Sequence, residues 1–150
     1  MNTTIVYEEL LPHVDDYWDL FNTTDWNEKY HFTKEELQKA ITNSWYAVSA
    51  YEDKKLVGFG RIIADGTHHA FIVDMIVHTD YQGRGIGATV LDKLVKKCLE
   101  SKIRDIQLFA AEDKYGFYEK YNFEKRPENA PGMRYKREEI DRLKKAGWHF

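Results

Sequence analysis

Residues 77–88 read Val77-His78-Thr79-Asp80-Tyr81-Gln82-Gly83-Arg84-Gly85-Ile86-Gly87-Ala88, and three kinds of sequence pattern meet there. The preceding residues 70–77 form a mostly apolar run rich in β-branched side chains, which predicts a buried strand. From residue 86 onward, apolar side chains recur at helical spacing with charged residues between them, which predicts an amphipathic helix. The segment therefore predicts a strand, a glycine-rich turn and a helix in succession.

The glycines at this junction favour a phosphate-binding turn. Glycine permits positive φ and a close approach of the backbone to a ligand. The first turn of a helix carries unpaired N–H groups and the positive end of the dipole, and both features bind phosphate. A tight turn without a ligand is the alternative for a glycine cluster taken alone. A Walker loop does not fit, because Ala88 stands where lysine is required, and the third glycine falls one position early for a dinucleotide fingerprint.

Length, composition and charge limit the classes of function. The 150 residues suffice for one domain with a core, and we expect a single domain over residues 1–150. Hydrophobic residues make up 43% and charged residues 31%, as in soluble globular proteins. The formal net charge of -3 gives no indication of general nucleic-acid binding. With neither an apolar run for a membrane span nor a signal peptide, and Cys98 as the single cysteine, we expect a cytoplasmic protein.

The remaining chain predicts a sheet flanked by helices. Besides residues 70–77, we predict strands over residues 3–8, 44–51, 56–64 and 103–111. The predicted helices are residues 10–21, 33–43 (opened by a capping box at Thr33 and Glu36), a stretch starting at residue 86 and a charged one over residues 137–147. Residues 22–32 are expected to form an aromatic-rich loop, and residues 126–133 a hairpin loop between two strands. The long helix before residue 103 predicts parallel pairing of the strands on either side of it.

Gln82-Gly83-Arg84-Gly85-Ile86-Gly87 matches the signature Gln/Arg-x-x-Gly-x-Gly/Ala, and on it the chain resembles the GNAT N-acetyltransferase superfamily. A second block, Phe117-Tyr118-Glu119-Lys120-Tyr121-Asn122-Phe123, is similar to that family's Phe-Tyr-Glu-Lys-x-Gly-Phe, with Asn122 in place of glycine. The likeness covers residues 44–136. Thr79 departs from a frequent proline, and residues 110–114 lack an asparagine and an alanine found in other members. The resemblance implies an α/β fold with a mixed, mostly antiparallel sheet flanked by helices, whose central parallel strands splay apart.

The resemblance also implies acetyl-CoA as co-substrate. Its pyrophosphate would be held by backbone N–H groups along Gln82, Gly83, Arg84, Gly85, Ile86, Gly87 and Ala88. The backbone of Met75, Ile76 and Val77 would meet the pantetheine arm and the acetyl carbonyl, where an N–H would act as an oxyanion donor. Phe117, Tyr118 and Lys120 complete the expected cofactor site, although Lys120 could equally be a solvated lysine. No metal is expected, because the histidines and Cys98 lack the spacing of metal ligands.

Two side chains are candidates for proton transfer. Tyr118 aligns with the tyrosine that protonates the departing CoA thiolate in several family members, and packing against the pantetheine is the alternative. Asp74 is the candidate base for the amine, with a structural hydrogen bond as the alternative, because an acid within an apolar strand needs a partner. His78 is a second, weaker candidate base.

These residues predict acetyl transfer from acetyl-CoA to a primary amine by direct attack in a ternary complex. We favour a small-molecule acceptor, such as an amino acid or a polyamine, over a protein. The alternatives are a CoA-binding or sensing module without catalysis and a phosphate-binding protein that does not take CoA. We expect no nucleic-acid or membrane partner, and a homodimer is left open.

Overall fold

The computed structural model describes residues 4–149. These residues form two compact units, one ending at Ala110 and the other beginning at Ala111. The single domain expected over residues 1–150 stays a prediction. Thr3, where the first predicted strand begins, lies outside the described residues.

The first unit contains one five-stranded sheet with the strands in sequence order. Neighbouring strands are antiparallel except for the last pair, which is parallel as predicted. The mixed, mostly antiparallel sheet is thus confirmed. Its strands are β1 (Val6–Glu8), β2 (Tyr46–Glu52), β3 (Lys55–Ala64), β4 (His69–Val77) and β5 (Asp105–Leu108).

Helices cover both faces of this sheet. Alternate residues of β3 point to opposite faces, so neighbouring residues of this strand contact different helices. Phe59 packs edge-on against Tyr17 of the first helix at 4.9 Å between ring centres. Its neighbour Gly60 lies instead under the long helix, where an added Cβ would come within 2.9 Å of Val90. The helices of this unit are α1 (Val14–Phe21), α2 (Trp26–Tyr30), α3 (Lys34–Thr42) and α4 (Ile86–Glu100).

The core is built mainly from the predicted amphipathic faces. On α4 the buried side chains are those that recur at helical spacing: Ile86, Val90, Leu91, Leu94 and Cys98. On the opposite face of the sheet, α1 and α3 bury Tyr17, Leu20, Phe21, Leu37 and Ile41. The capping box predicted at the start of α3 is present, with Thr33 and Glu36 each bonded to the other's backbone.

Helix α2 contradicts the expectation of a loop over residues 22–32. The helix ends at His31, which adopts a left-handed conformation with φ of 56°. The Asn27 side chain accepts a hydrogen bond from the Phe32 N–H at 2.6 Å and donates one to the Phe32 carbonyl at 3.2 Å. These hydrogen bonds stabilise the C-terminal end of α2. The sequence of α2 has no hydrophobic periodicity from which the helix could have been predicted.

The second unit contains α5 (Tyr115–Glu119) and α6 (Arg137–Lys145). Asn122 has a φ of 70°, which fits its replacement of glycine. The two strands expected around residues 126–133 are wrong: the described residues beyond Leu108 form no strand. Residues 124–136 are exposed, and their prolines cannot donate to a strand ladder. The segment bonds locally instead, with the Arg126 Nε donating to the Ala130 carbonyl at 2.7 Å.

Candidate functional site

Strand β4 pairs with the parallel strand β5 over only part of its length. In the described chain their pairing runs from His69 with Asp105 to Ile72 with Leu108. Strand β4 continues to Val77, so residues 73–77 extend beyond the last pair. Met75, Ile76 and Val77 lie in this extension, where backbone groups facing β5 have no strand ladder to join.

A β-bulge interrupts β4 at the start of this extension. In β3, Phe59 pairs with Ile76 and Arg61 pairs with Val73. Two steps along β3 thus correspond to three steps along β4, so β4 contains one extra residue. At the bulge Asp74 adopts a φ of 54°, a conformation that few residues other than glycine enter. The bulge therefore sets the direction of the backbone that follows it.

The Asp74 carboxylate is paired with a buried arginine. The Arg61 Nε donates to the Asp74 Oδ2 at 2.6 Å, and Arg61 is itself buried in β3. The Tyr17 phenol lies close by, and burial together with the Asp74 charge raises its pKa, so the hydroxyl stays protonated. Sequence reasoning missed Arg61. The signal was present, because Arg61 is the only cation in the apolar middle of β3 and Asp74 is the only acid in the neighbouring apolar strand β4.

The glycine turn at the start of α4 has the expected conformation. Gly83 and Gly85 have φ values of 79° and 80°, and Gly85 is the N-cap residue of the helix. Neither a side-chain cap nor an acidic residue occupies the first turn of α4. The first N–H groups of the helix are thus left for a ligand, in the positive field of the dipole. The Ile86 side chain is buried in the core and so is not available to such a ligand.

Side chains around the turn add positive charge and order. The Gln82 Nε2 donates to the Val77 carbonyl at 3.2 Å, which ties the turn to the end of β4. Arg84 forms an ion pair of 2.8 Å with Glu52, and its guanidinium lies 5.2 Å from the centre of the Tyr81 ring. The Lys55 ammonium lies 5.5 Å from the same ring. Lys55 and Glu52 come from the β2–β3 hairpin, and sequence reasoning did not assign them to this turn.

The side chain of His78, the second candidate base, makes structural contacts. Its Nδ1 accepts a hydrogen bond from the Asp80 N–H at 3.1 Å and caps the 3-10 turn Thr79–Tyr81. Its ring also packs edge-on against Tyr81 at 5.4 Å. This nitrogen is therefore occupied by a backbone donor.

The second unit carries Phe117, Tyr118 and Lys120. Tyr118 is half-buried in α5 and packs edge-on against Phe117 at 5.0 Å and Phe123 at 6.1 Å. Burial raises the pKa of Tyr118, so its hydroxyl keeps its proton throughout the neutral range. Lys120 is exposed at the C-terminal end of α5. Phe117 is half-buried, and the second block thus forms a compact aromatic cluster.

Among residues 4–149, no group of three or more His, Cys, Asp or Glu side chains is arranged to hold a metal ion. No helix within the same residues is long and apolar enough to cross a membrane.

Comparison with known proteins places these features in a family. The model of the acetyltransferase (GNAT) family matches residues 11–123, a stretch that contains both sequence blocks. Over 98 residues the chain is 38% identical to an uncharacterized N-acetyltransferase, ycf52, of Pyropia yezoensis, covering 63% of this chain and 56% of that protein. It is 33% identical to histone acetyltransferase TAP1 of Glycine max over 109 residues, covering 65% of this chain and 47% of that protein.

The chain therefore spans about half the length of these relatives. A crystal structure of a protein of unknown function from meticillin-resistant Staphylococcus aureus, described as a probable acetyltransferase, superposes with a TM-score of 0.75. The superposition covers 89% of this chain and 99% of that one at 24% identity, and it shows that the two share a fold.

Proposed function

The chain belongs to the acetyltransferase (GNAT) family, and we propose that it transfers the acetyl group of acetyl-CoA to a primary amine. The observation that carries this proposal is the uncapped start of α4, with its left-handed Gly83 and Gly85, directly after the unpaired end of β4. An uncapped helix start suits a pyrophosphate, and an unpaired strand end suits the amide-bearing pantetheine arm. Both features occur within one unit of the chain.

In this proposal the ligand runs from the turn along β4. Backbone N–H groups of residues 82–88 bind the pyrophosphate, and Lys55 supplies positive charge beside it, since Arg84 is paired with Glu52. The backbone of residues 75–77 receives the pantetheine arm and the acetyl carbonyl. An N–H directed at the carbonyl oxygen would stabilise the negative charge that develops there during attack.

The reaction would proceed by direct attack in a ternary complex. The amine nitrogen forms a bond to the acetyl carbon, and the bond from that carbon to the CoA sulfur breaks. The nitrogen must lose a proton, and the departing thiolate must gain one. We propose Tyr118 as the donor to the thiolate, supported by its place in the second block and by its half-buried position between the rings of Phe117 and Phe123. The role of Asp74 as base stays a prediction.

The proposed acceptor is a primary amine. We favour a small primary amine, as the sequence predicted. A lysine of a protein is the second candidate, because the relative from Glycine max is named a histone acetyltransferase. A cytoplasmic location likewise stays a prediction.

Thiol release from acetyl-CoA tests the proposal. The acceptor panel contains amino acids, polyamines and lysine-containing histone peptides, and acetyl-CoA affinity is measured in parallel. Tyr118→Phe should lower the rate about 100-fold or more with affinity retained, as expected for a lost general acid. Tyr121→Phe, which removes the hydroxyl of a more exposed tyrosine in the same block, is the matched control and should retain the wild-type rate.

The outcomes separate the three interpretations. Release with one amine class supports an enzyme and identifies the acceptor. Tight acetyl-CoA binding without release from any acceptor would contradict catalysis and favour a CoA-binding module. An absence of acetyl-CoA binding would favour a protein that binds another phosphate compound.

A further inference from the structure

Arg61 connects three parts of the first unit. Its Nε donates to Asp74 at 2.6 Å, and its Nη1 donates to the Ala40 carbonyl at 3.1 Å and contacts the Ser44 Oγ at 3.4 Å. Ala40 lies in the last turn of α3, and the Ser44 hydroxyl in turn donates to the Ile41 carbonyl at 2.6 Å. The guanidinium thus links the end of α3 to the bulge in β4.

This arrangement needs a reason, because a buried charge is unfavourable unless it is paired and hydrogen-bonded. An apolar side chain at this position of β3 would pack in the core without that requirement. The bulge that Arg61 contacts is itself strained, since the backbone of Asp74 is left-handed. An ion pair that satisfies the arginine also holds the residue that bears the strain.

The bulge is enclosed from the other face of the sheet as well. Gly60 lies opposite the extra residue of β4, and a Cβ there would come within 2.7 Å of the Met75 Sδ and 2.8 Å of the Leu94 Cδ1. Met75 therefore packs close to β3 and α4, while Asp74 is held on the other side by Arg61. These contacts leave the bulged backbone little freedom.

We propose that Arg61 and Asp74 are positioning residues that hold the bulge, and with it the backbone of residues 75–77, in the geometry that receives the acetyl-pantetheine arm. This inference rests on the proposed function and extends it, because it assigns Asp74 a role through the backbone in place of proton abstraction. The pair acts on the pantetheine half of the ligand only. The pyrophosphate turn begins beyond residue 77 and makes its own contacts.

Two ligands separate the halves of the site. The first is acetyl-CoA, and the second is 3′-phospho-ADP, the nucleotide half of CoA without the pantetheine arm. Asp74→Ala removes the partner of Arg61 and places a residue less tolerant of positive φ at the bulge. It should weaken acetyl-CoA binding about tenfold and lower kcat, with 3′-phospho-ADP affinity unchanged within about twofold.

Asp74→Asn is the decisive variant, because it separates positioning from base catalysis. Asparagine adopts the left-handed conformation readily, and its amide oxygen can accept the Arg61 hydrogen bond. It should be less stable than the wild type, yet below its unfolding temperature retain kcat and KM for acetyl-CoA within about threefold. An amide cannot accept the proton of an amine, so a base would be lost in this variant at every pH.

Arg61→Met and Arg61→Lys complete the set. Arg61→Met should reproduce the Asp74→Ala pattern. If it does not fold, Arg61→Lys tests the same contact, because one ammonium cannot reach Asp74, Ala40 and Ser44 as the guanidinium does. Asp15→Asn, which breaks the exposed 2.8 Å pair with Lys34 between α1 and α3, is the control and should change neither affinity.

Three results would overturn the inference. Asp74→Asn with normal acetyl-CoA affinity and kcat reduced 100-fold would make Asp74 a base. Asp74→Ala with unchanged acetyl-CoA affinity would show that the pair does not hold the bulge. A parallel loss of both ligands would show a merely structural role. A failure of the proposed function would give a different result from these three. The wild type itself would then bind acetyl-CoA no better than 3′-phospho-ADP, or would transfer no acetyl group.

Discussion

Replacement of Gly85 by alanine isolates the conformational requirement of the turn. Gly85 has φ of 80° and ψ of 6°, and a Cβ added there would meet no atom within 4 Å. The substitution therefore introduces no steric clash with a neighbour, and its whole cost is that of a left-handed conformation in an L-residue. That cost is about 1–2 kcal/mol.

The cost must be observed in stability, in affinity or in both. If the alanine keeps the native conformation, the free energy of unfolding should fall by about 1–2 kcal/mol. If the turn relaxes in the free protein, acetyl-CoA binding must restore it, and Kd should rise by about 5- to 30-fold. Denaturant titration and isothermal titration calorimetry measure the two losses, whose sum should be about 1–2 kcal/mol.

Two variants control for effects other than backbone strain. Gly85→Asn should recover part of the loss, because asparagine enters the left-handed region more readily than alanine. Gly116 also has open space where a Cβ would be added but lies in α5 without positive φ, so Gly116→Ala should stabilise by up to about 1 kcal/mol. If Gly85→Ala changes stability and affinity by less than about 0.5 kcal/mol together, the turn does not depend on its conformation.

Three further substitutions test the scaffold. Thr33→Ala removes the capping box shared with Glu36 and should lower the free energy of unfolding by about 1 kcal/mol in denaturant titration; an unchanged midpoint would contradict this. Gly60→Ala forces a Cβ to within 2.7 Å of the Met75 Sδ and should destabilise by about 1–3 kcal/mol, whereas a stable variant would show that the bulge adapts. Asp65 accepts hydrogen bonds from the backbone N–H groups of residues 67 and 68, which lower its pKa. Its contribution should be present above its ordinary pKa of 3.8 and be lost as the pH falls through the lowered value. The unfolding curves of Asp65→Ala and wild type should therefore converge in acid and differ at neutral pH, and a constant difference would refute this.

The parts of the fold that could be predicted are those governed by local pattern. The strand before residue 77, the left-handed glycines and helix α4 follow from apolar runs, turn residues and helical spacing that lie within one segment. Asn122, which stands in place of glycine in the second block, also adopts a left-handed conformation. Each depends on the conformational preference of the residue itself and little on distant neighbours.

The missed features depend on specific hydrogen bonds or on register. Helix α2 rests on the bonds between Asn27 and Phe32, which no hydrophobic period reports. The pairing of Arg61 with Asp74 requires the exact alignment of β3 and β4, including an extra residue in one strand. The strands expected on either side of residues 126–133 are absent. The turn residues in this segment were taken to join two strands, but the charged residues on either side of them provide no apolar face that a sheet could bury.

The most direct test of the acetyl-CoA site is an amide chemical-shift titration of the isotopically labelled protein. Acetyl-CoA should give saturable shifts that are largest at residues 82–88 and 75–77, because their N–H groups would bind the pyrophosphate and the acetyl-pantetheine arm. 3′-phospho-ADP should shift the first group and leave the second largely unchanged. Shifts confined to other residues, or no saturable shift at residues 82–88, would contradict the assignment of this turn as the cofactor site.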